Sequence, residues 1–238
     1  MVSSIALYKY PLLYPRRRDL WRGSFVVRID VAGYIDAVVR EVKGCEHEDR
    51  PARVVVVTRT YDASVDDIWG ALTRPDRLAR WFLPVSGSLR LGGRYQFEGN
   101  AGGVITRCER PHAFAATWES GDSLTWVVVA LSQDPRGGTR LELEHIAHVG
   151  DSHWDQFGPG AVGVGWDLAL TGLALHLATG GASVDRAESA AWSASAEGKE
   201  FMRRSSEDWC RASIAFGTDR EAALAAAGRT TAAYIGES

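Results

Sequence analysis

Residues 160–179 read GAVGVGWDLALTGLALHLAT and are apolar almost throughout. Trp166, Leu170 and Leu173 recur at helical spacing, and Leu168 lies on another side of the same predicted helix. A helix that is apolar nearly all round is buried on both sides. We therefore expect one face of this helix to lie on a sheet, while another part of the protein covers the opposite face.

The residues before this helix predict the sheet as a series of short strands. Their separators contain glycine, which supplies positive φ, and proline, which fixes φ at about −65°. Residues 54–57 are four consecutive valines, and β-branched side chains favour a strand. Consecutive strands joined by short turns indicate an antiparallel meander. The predicted strands span residues 53–61, 88–91, 94–98, 103–109, 113–119, 124–132 and 139–145.

Helices are predicted before and between the strands. Ser64 begins a helix, with Asp67 three residues later in a near-capping-box pattern. Pro75 begins a second short helix, because proline suits the first helical turn. Apolar residues at helical spacing indicate a further helix over 30–43, followed by a charged linker over 45–52.

More helices are predicted in the C-terminal third. Phe201 and Trp209 belong to a helical stripe, and Thr218 opens a capping box before an alanine-rich helix. These elements make residues 185–235 one candidate to cover the second face of the long apolar helix. The other candidates are residues 30–43 and a second subunit.

The order of elements predicts an α+β protein, with helices on one side of an antiparallel sheet. At 238 residues, the chain has room for one elaborated domain or two small ones. The predicted organisation is a flexible or non-native extension at 1–29, a helix and linker at 30–52, the main domain at 53–180, and a helical extension at 181–238 that packs on it.

A set of short motifs occurs in a fixed order along residues 54–178. They are YDAS (61–64), IWGALT (68–73), PDRLARWF (75–82), LGG (91–93), Pro111, TW (117–118), GTRL (138–141), His145 and GW (165–166). Together they resemble the START-like SRPBCC superfamily, in the branch named after the activator of heat-shock-protein ATPase. The resemblance implies a helix-grip fold, in which a curved antiparallel sheet wraps around one long C-terminal helix. It also implies a cavity between sheet and helix, often for an apolar small molecule.

The composition argues against several classes of function. The formal net charge of −3 argues against a general nucleic-acid footprint, which needs a basic surface. The three cysteines are far apart and in no metal or redox spacing, which favours a reducing cytoplasm. Asp167 and His176 interrupt the apolar stretch at 161–182, so we expect a buried helix there and no membrane span.

Nine tryptophans are the unusual feature of the composition. Such large rings occupy cores or pockets. Pockets are mostly apolar, with few polar groups, and the aromatic residues on elements expected to surround the cavity fit that description. A packed core would use them equally well. The predicted aromatic ligand-binding residues are Trp81, Phe82, Tyr95, Phe97, Trp118, Trp126, Trp154 and Trp166.

Two histidines, His145 and His148, complete the predicted ligand-binding set. The alternation in LELEH at 141–145 directs the leucines and His145 inward. His145 is then either a polar anchor or general base at the cavity rim, or a core histidine bonded to backbone. An unbroken strand sends His148 to the opposite face. Zinc needs three or four converging ligands, so we predict no metal site among His145, His148, Asp151 and His153.

The sequence therefore predicts a cytosolic domain that binds a small apolar or aromatic molecule without a cofactor. No nucleophile, phosphate-loop or dinucleotide motif is present, so no catalytic residue is assigned. Two alternatives stay open. One is a cavity enzyme of cyclase, dehydratase or hydrolase type that uses His145 and His148. The other is a protein-interaction or co-chaperone-like module with an unknown partner, and a homodimer is a further candidate assembly.

Overall fold

The computed structural model describes residues 30–150 and 152–237, and the extension predicted at 1–29 lies outside them. The strands are β1 (Val39–His47), β2 (Arg50–Tyr61), β3 (Val85–Gly87), β4 (Arg94–Phe97), β5 (Gly102–Glu109), β6 (Ala113–Ser120), β7 (Ser123–Gln133) and β8 (Thr139–His148). The helices are α1 (Val31–Asp36), α2 (Val65–Thr73), α3 (Pro75–Trp81), α4 (Ser152–Phe157), α5 (Gly160–Ala178), α6 (Arg186–Ala194), α7 (Ala196–Ala215) and α8 (Arg220–Ile235).

All eight strands belong to one antiparallel sheet in the order β1-β2-β8-β7-β6-β5-β4-β3. The α2–α3 pair is inserted between β2 and β3, and α5 follows the sheet. Ser64 caps α2 by accepting a hydrogen bond from the backbone amide of Asp67 at 3.2 Å, as the sequence predicts. Pro75 likewise occupies the start of α3. The α+β class and the long helix on an antiparallel sheet are confirmed.

The helix predicted over 30–43 is wrong beyond Asp36, and the linker predicted over 45–52 is wrong as well. Residues 39–47 form the edge strand β1, which pairs with the valines of β2, and a two-residue turn joins the two strands. Helical spacing of valines also fits a strand of which only part is buried, and pairing with β2 determines the outcome. The strand predicted at 88–91 is also displaced, because β3 covers Val85–Gly87.

Helix α5 lies between the sheet and the C-terminal helices. On one side it packs against β2 and α3, and on the other against α7 and α8. The hydroxyl of Tyr61 on β2 donates to the carbonyl of Leu170 at 3.1 Å, which fixes the helix over the inner face of the sheet. Gly163 faces the indole of Trp209 on α7 so closely that a Cβ there would overlap the ring. Of the three candidates for the second face of α5, the structure places helices α7 and α8, within residues 185–235, against it.

A buried ionic cluster joins α5, β1 and α7. The carboxylate of Asp167, which is fully buried, accepts hydrogen bonds from Arg40 Nε at 2.9 Å, Trp209 Nε1 at 3.2 Å and the hydroxyl of Ser205. Arg40 also donates to Asp208 at 2.9 Å. Burial raises the pKa of Asp167, because desolvation outweighs the opposing effect of the Arg40 guanidinium. The cluster ties the C-terminal extension to the main sheet and its long helix.

Candidate functional site

A cavity of about 100 Å³ lies between the inner face of the sheet and α5. Six of the ten predicted ligand-binding residues line it: Trp81, Phe82, Tyr95, Phe97, Trp118 and Trp166. The other lining residues, which the sequence analysis did not select, are aliphatic or aromatic: Leu72, Leu78, Leu89, Ile105, Phe114, Ala116, Val127, Val129, Leu141, Leu143, Ala169 and Leu170. No charged side chain is among them.

Strand periodicity explains which residues reach this cavity. Val127 and Val129 alternate with outward-facing residues on β7, and Leu141 and Leu143 do the same on β8. The leucines were predicted to face the core, so the same phase could have been followed across the neighbouring strands. The missed residues Leu72, Leu78, Ala169 and Leu170 lie on helices α2, α3 and α5, and their place at the cavity depends on how these helices pack on the sheet.

The aromatic rings of the cavity form a continuous series. Ring centroids are 5.5 Å apart for Trp81 and Phe82, and 4.9 Å for Phe82 and Phe97. They are 5.8 Å apart for Phe97 and Trp118, and 5.2 Å for Trp118 and Trp166. Trp81 and Phe82 are half-buried, whereas Phe97 and Trp118 are buried. Trp166 is half-buried as well, so the two ends of the series reach towards solvent and its middle rings are the buried ones.

Three of the polar atoms on the lining side chains have partners inside the protein. Trp81 Nε1 donates to the carbonyl of Ala71 at 3.0 Å. Trp166 Nε1 donates to His145 Nδ1 at 3.1 Å. The hydroxyl of Tyr95 donates to a backbone carbonyl on β6 at 2.7 Å, and burial raises the pKa of this tyrosine. These hydrogen bonds hold the cavity wall in place, and the three donors are not available to a ligand.

Trp118 differs from the other three polar side chains of the wall. It is 7% exposed, and its Nε1 atom is buried with no hydrogen-bond partner among the described residues. A buried donor without a partner is uncommon in folded proteins, because it loses hydration without replacement.

His145 lies directly behind the cavity wall, with 2% exposure. Because an indole N–H can only donate, His145 Nδ1 accepts the bond from Trp166 and the proton of the neutral ring is on Nε2. Nε2 then donates to Thr125 Oγ1 at 3.0 Å, and that hydroxyl donates to the carbonyl of Trp118 at 3.1 Å. Both ring nitrogens are engaged, so His145 orients Trp166 in this arrangement. Thr125, two residues before Val127 on the inner face, is a positioning residue that the sequence analysis missed.

Trp126 and His148 do not line the cavity, contrary to their predicted placement. They lie on the outer face of the sheet, with ring centroids 4.8 Å apart, and the ring of His47 lies beside both, 4.3 Å from Trp126 and 6.2 Å from His148. Trp126 is out of phase with Val127, and the apolar run at 127–130 gives no alternation from which to choose a face. His148 follows three residues after His145 on an unbroken strand, so the two histidines point to opposite faces.

Trp154 also lies away from the cavity, on α4. It lines a second cavity, of about 160 Å³, between α4, α7 and α8. The guanidinium of Arg53 lies over its ring, 5.4 Å from the centroid, and contacts Asp155 at 3.5 Å. This larger space belongs to the packing of the C-terminal helices, and the apolar cavity under the sheet is the better candidate for a small-molecule site.

Side chains that favour metals do not converge in the part of the chain that the structure describes. Within residues 30–150 and 152–237, no group of three or more histidine, cysteine or acidic side chains is close enough to hold an ion. His145 and His148 are separated by the sheet, and Asp151 lies outside the described residues. The prediction of no metal and no cofactor stays a prediction.

Helix α5 is the one described helix that is long and apolar enough to span a membrane by length and composition. In this structure it is enclosed by the sheet on one side and by α7 and α8 on the other. Its apolar character therefore has an explanation in the packing of the core, as the sequence analysis expected.

The eight-stranded antiparallel sheet, the long helix α5 and the apolar cavity between them define a helix-grip protein. A family model described as activator of Hsp90 ATPase homolog 1-like protein matches residues 62–178. The chain belongs to this family, within the START-like SRPBCC superfamily, and the predicted resemblance is confirmed.

Two solved structures of CalU16 from Micromonospora echinospora are similar to the chain. The crystal structure is 31% identical, with a TM-score of 0.60, over 74% of this chain and 98% of that one. The solution structure is 32% identical, with a TM-score of 0.62, over 76% and 97%. Both alignments cover a larger part of the chain than residues 62–178, so the similarity to CalU16 continues outside the segment that the family model matches. No curated protein sequence matches the chain significantly.

Proposed function

We propose that this protein binds a small, neutral, apolar or aromatic molecule in the cavity between the sheet and α5, without a cofactor. The supporting observation is the wall itself, which is built only from aliphatic and aromatic side chains. Binding pockets for small molecules have this character, with few polar groups to fix orientation. A charged ligand is disfavoured, because the wall holds no opposite charge to compensate for desolvation.

The size of the cavity limits the ligand. An apolar cavity of about 150 Å³ holds one benzene ring, and the present cavity is about 100 Å³. A monocyclic ligand therefore needs a modest outward movement of the wall. We propose that Trp81 and Phe82 make this movement, since they are half-buried and lie at the end of the short helix α3.

We further propose that the protein acts in the cytoplasm. Cys45, Cys108 and Cys210 are all unpaired in the structure. Unpaired thiols persist in reducing compartments, and burial raises the pKa of Cys210, which keeps that thiol protonated and unreactive.

Ligand binding is tested by thermal unfolding in the presence of toluene, α-methylstyrene and acetophenone. A ligand that binds only the folded state at a hundred times its Kd raises the free energy of unfolding by about 2.7 kcal/mol. For a chain of this size, that corresponds to a rise in Tm of roughly 5–10 °C. If none of the three probes raises Tm, the proposed function is wrong.

Filling the cavity should remove this effect. Ala116→Phe places a ring where a buried methyl group lines the cavity, so we expect no rise in Tm with any probe, after an overpacking cost of about 1–3 kcal/mol. The matched control is Ala130→Phe, on the neighbouring strand at an exposed position. The control should keep the full rise, and an equal loss in both variants would contradict binding in this cavity.

A further inference from the structure

The cavity wall has one hydrogen-bond donor that the fold does not use. Its other polar side-chain atoms belong to Trp81, Tyr95 and Trp166, and each donates to a partner inside the protein. The Nε1 atom of Trp118 is buried and has none among the described residues. Tryptophan offers only a donor at this atom, so the group that completes it must be an acceptor.

No acceptor among the described residues forms a hydrogen bond with Trp118 Nε1, and three aromatic rings lie beside its indole. Phe97 and Trp166 offer only ring faces and a donor already in use, with centroids at 5.8 Å and 5.2 Å. His145 lies at 6.4 Å, with both nitrogens bonded elsewhere. The rest of the lining is aliphatic or aromatic. A buried water normally needs two to four polar partners and would find one here, so an acceptor on a ligand is favoured.

We propose that the ligand carries a neutral acceptor oxygen, of the ketone, quinone or ester carbonyl class, and that Trp118 Nε1 donates to it. This inference rests on the proposed function and names the class of ligand that the same cavity takes. A carboxylate is excluded by the absence of a compensating charge in the wall. A pure hydrocarbon leaves the buried indole donor unsatisfied. The preference for the carbonyl analogue over the hydrocarbon is therefore larger in the wild type than in a variant that lacks this donor.

The test compares two probes of nearly identical shape, acetophenone and α-methylstyrene, in which C=O is replaced by C=CH₂. Calorimetric titration gives the ratio of the Kd for α-methylstyrene to the Kd for acetophenone. We expect Trp118→Phe to lower this ratio roughly 2- to 10-fold relative to the wild type, the range for loss of one hydrogen bond. Because the two probes are compared within each variant, a change in cavity volume alters both Kd values alike and leaves their ratio unchanged.

The matched control is Trp81→Phe, which shortens another lining indole whose N–H is already bonded to Ala71. This variant should weaken the binding of both probes by the same factor and keep the wild-type ratio of the two Kd values. An equal ratio in the wild type and Trp118→Phe overturns the inference and leaves the proposed function standing. Failure of acetophenone, α-methylstyrene and toluene to bind the wild type overturns both the inference and the proposed function.

A second measurement covers the case in which Trp118→Phe does not fold. In the wild-type protein labelled with ¹⁵N, the indole resonance of Trp118 should move downfield with saturating acetophenone and not with α-methylstyrene. An equal response to the two probes contradicts the proposed hydrogen bond.

Discussion

Replacing Asp167 with alanine should lower the free energy of unfolding by about 3 kcal/mol, because it leaves a buried guanidinium poorly compensated. Arg40 is 5% exposed at its side chain and loses its fully buried partner. Ser205 and Trp209 lose an acceptor as well. The loss falls at the lower end of the usual range for a broken buried pair, since Asp208 still contacts Arg40.

Urea unfolding measures this loss, with Asp208→Ala as the control. Asp208 contacts the same guanidinium but its side chain is 16% exposed, so water replaces part of its role. We expect the control to lose clearly less stability than Asp167→Ala. If both variants lose the same free energy of unfolding, the prediction that the more deeply buried carboxylate contributes more is wrong.

The charge of Asp167 also predicts a dependence on pH. Because its pKa is raised in the folded state, the group's contribution to stability is full below the ordinary value of 3.8 and is lost as the pH rises through the folded pKa. Asp167→Asn does not titrate at this position. The stability of the wild type relative to Asp167→Asn should therefore increase as the pH falls from 7 towards 4. A constant or shrinking difference would contradict the raised pKa.

Gly163→Ala is the second substitution with a large expected effect, although it adds a single methyl group. The new Cβ would overlap the ring of Trp209, which is fully buried and hydrogen-bonded to Asp167, so the ring has no free direction in which to move. Overpacking of this kind costs about 3 kcal/mol. The gain in helix propensity from glycine to alanine is at most about 1 kcal/mol and does not offset it.

Gly228→Ala is the matched control, since it makes the same change in the middle of α8. A Cβ at Gly228 meets nothing within 4 Å, and the residue is exposed. We expect this variant to gain about 0.5–1 kcal/mol, because alanine is the better helix former. Calorimetric Tm values of the two variants should move in opposite directions. A fall in both would point to a general intolerance of alanine and not to the contact with Trp209.

The long helix and most of the meander could be predicted because their signals are local. Residues 160–178 are apolar on every side, and the turns between strands contain glycine and proline at the required positions. Ser64 carries its capping signal within three residues. By contrast, β1 depends on a partner strand, and Val38 and Val42 have a spacing that suits a helix as well as a strand. Pairing with Val55 and its neighbours on β2 resolves that ambiguity, and this information is not local.

The candidate site follows the same division. Trp118 and Trp166 were found because they belong to elements that the order of strands and helices places around the cavity. Trp126 was misplaced because the valines after it are apolar in both phases, and both faces of β2 and β7 are buried at that point: a separate cluster of Val54, Val56 and Ile146 surrounds Trp126 on the outer face. No periodicity can assign a face where both faces are apolar.

The unbroken series of rings from Trp81 to Trp166 gives the protein an internal optical reporter. Two indoles whose centroids lie 5.2 Å apart, as in Trp118 and Trp166, exchange excitation before they emit light. A carbonyl compound that quenches the fluorescence of one indole therefore lowers the fluorescence of the other as well. Occupancy of the cavity should be readable from the intrinsic fluorescence of the unlabelled chain.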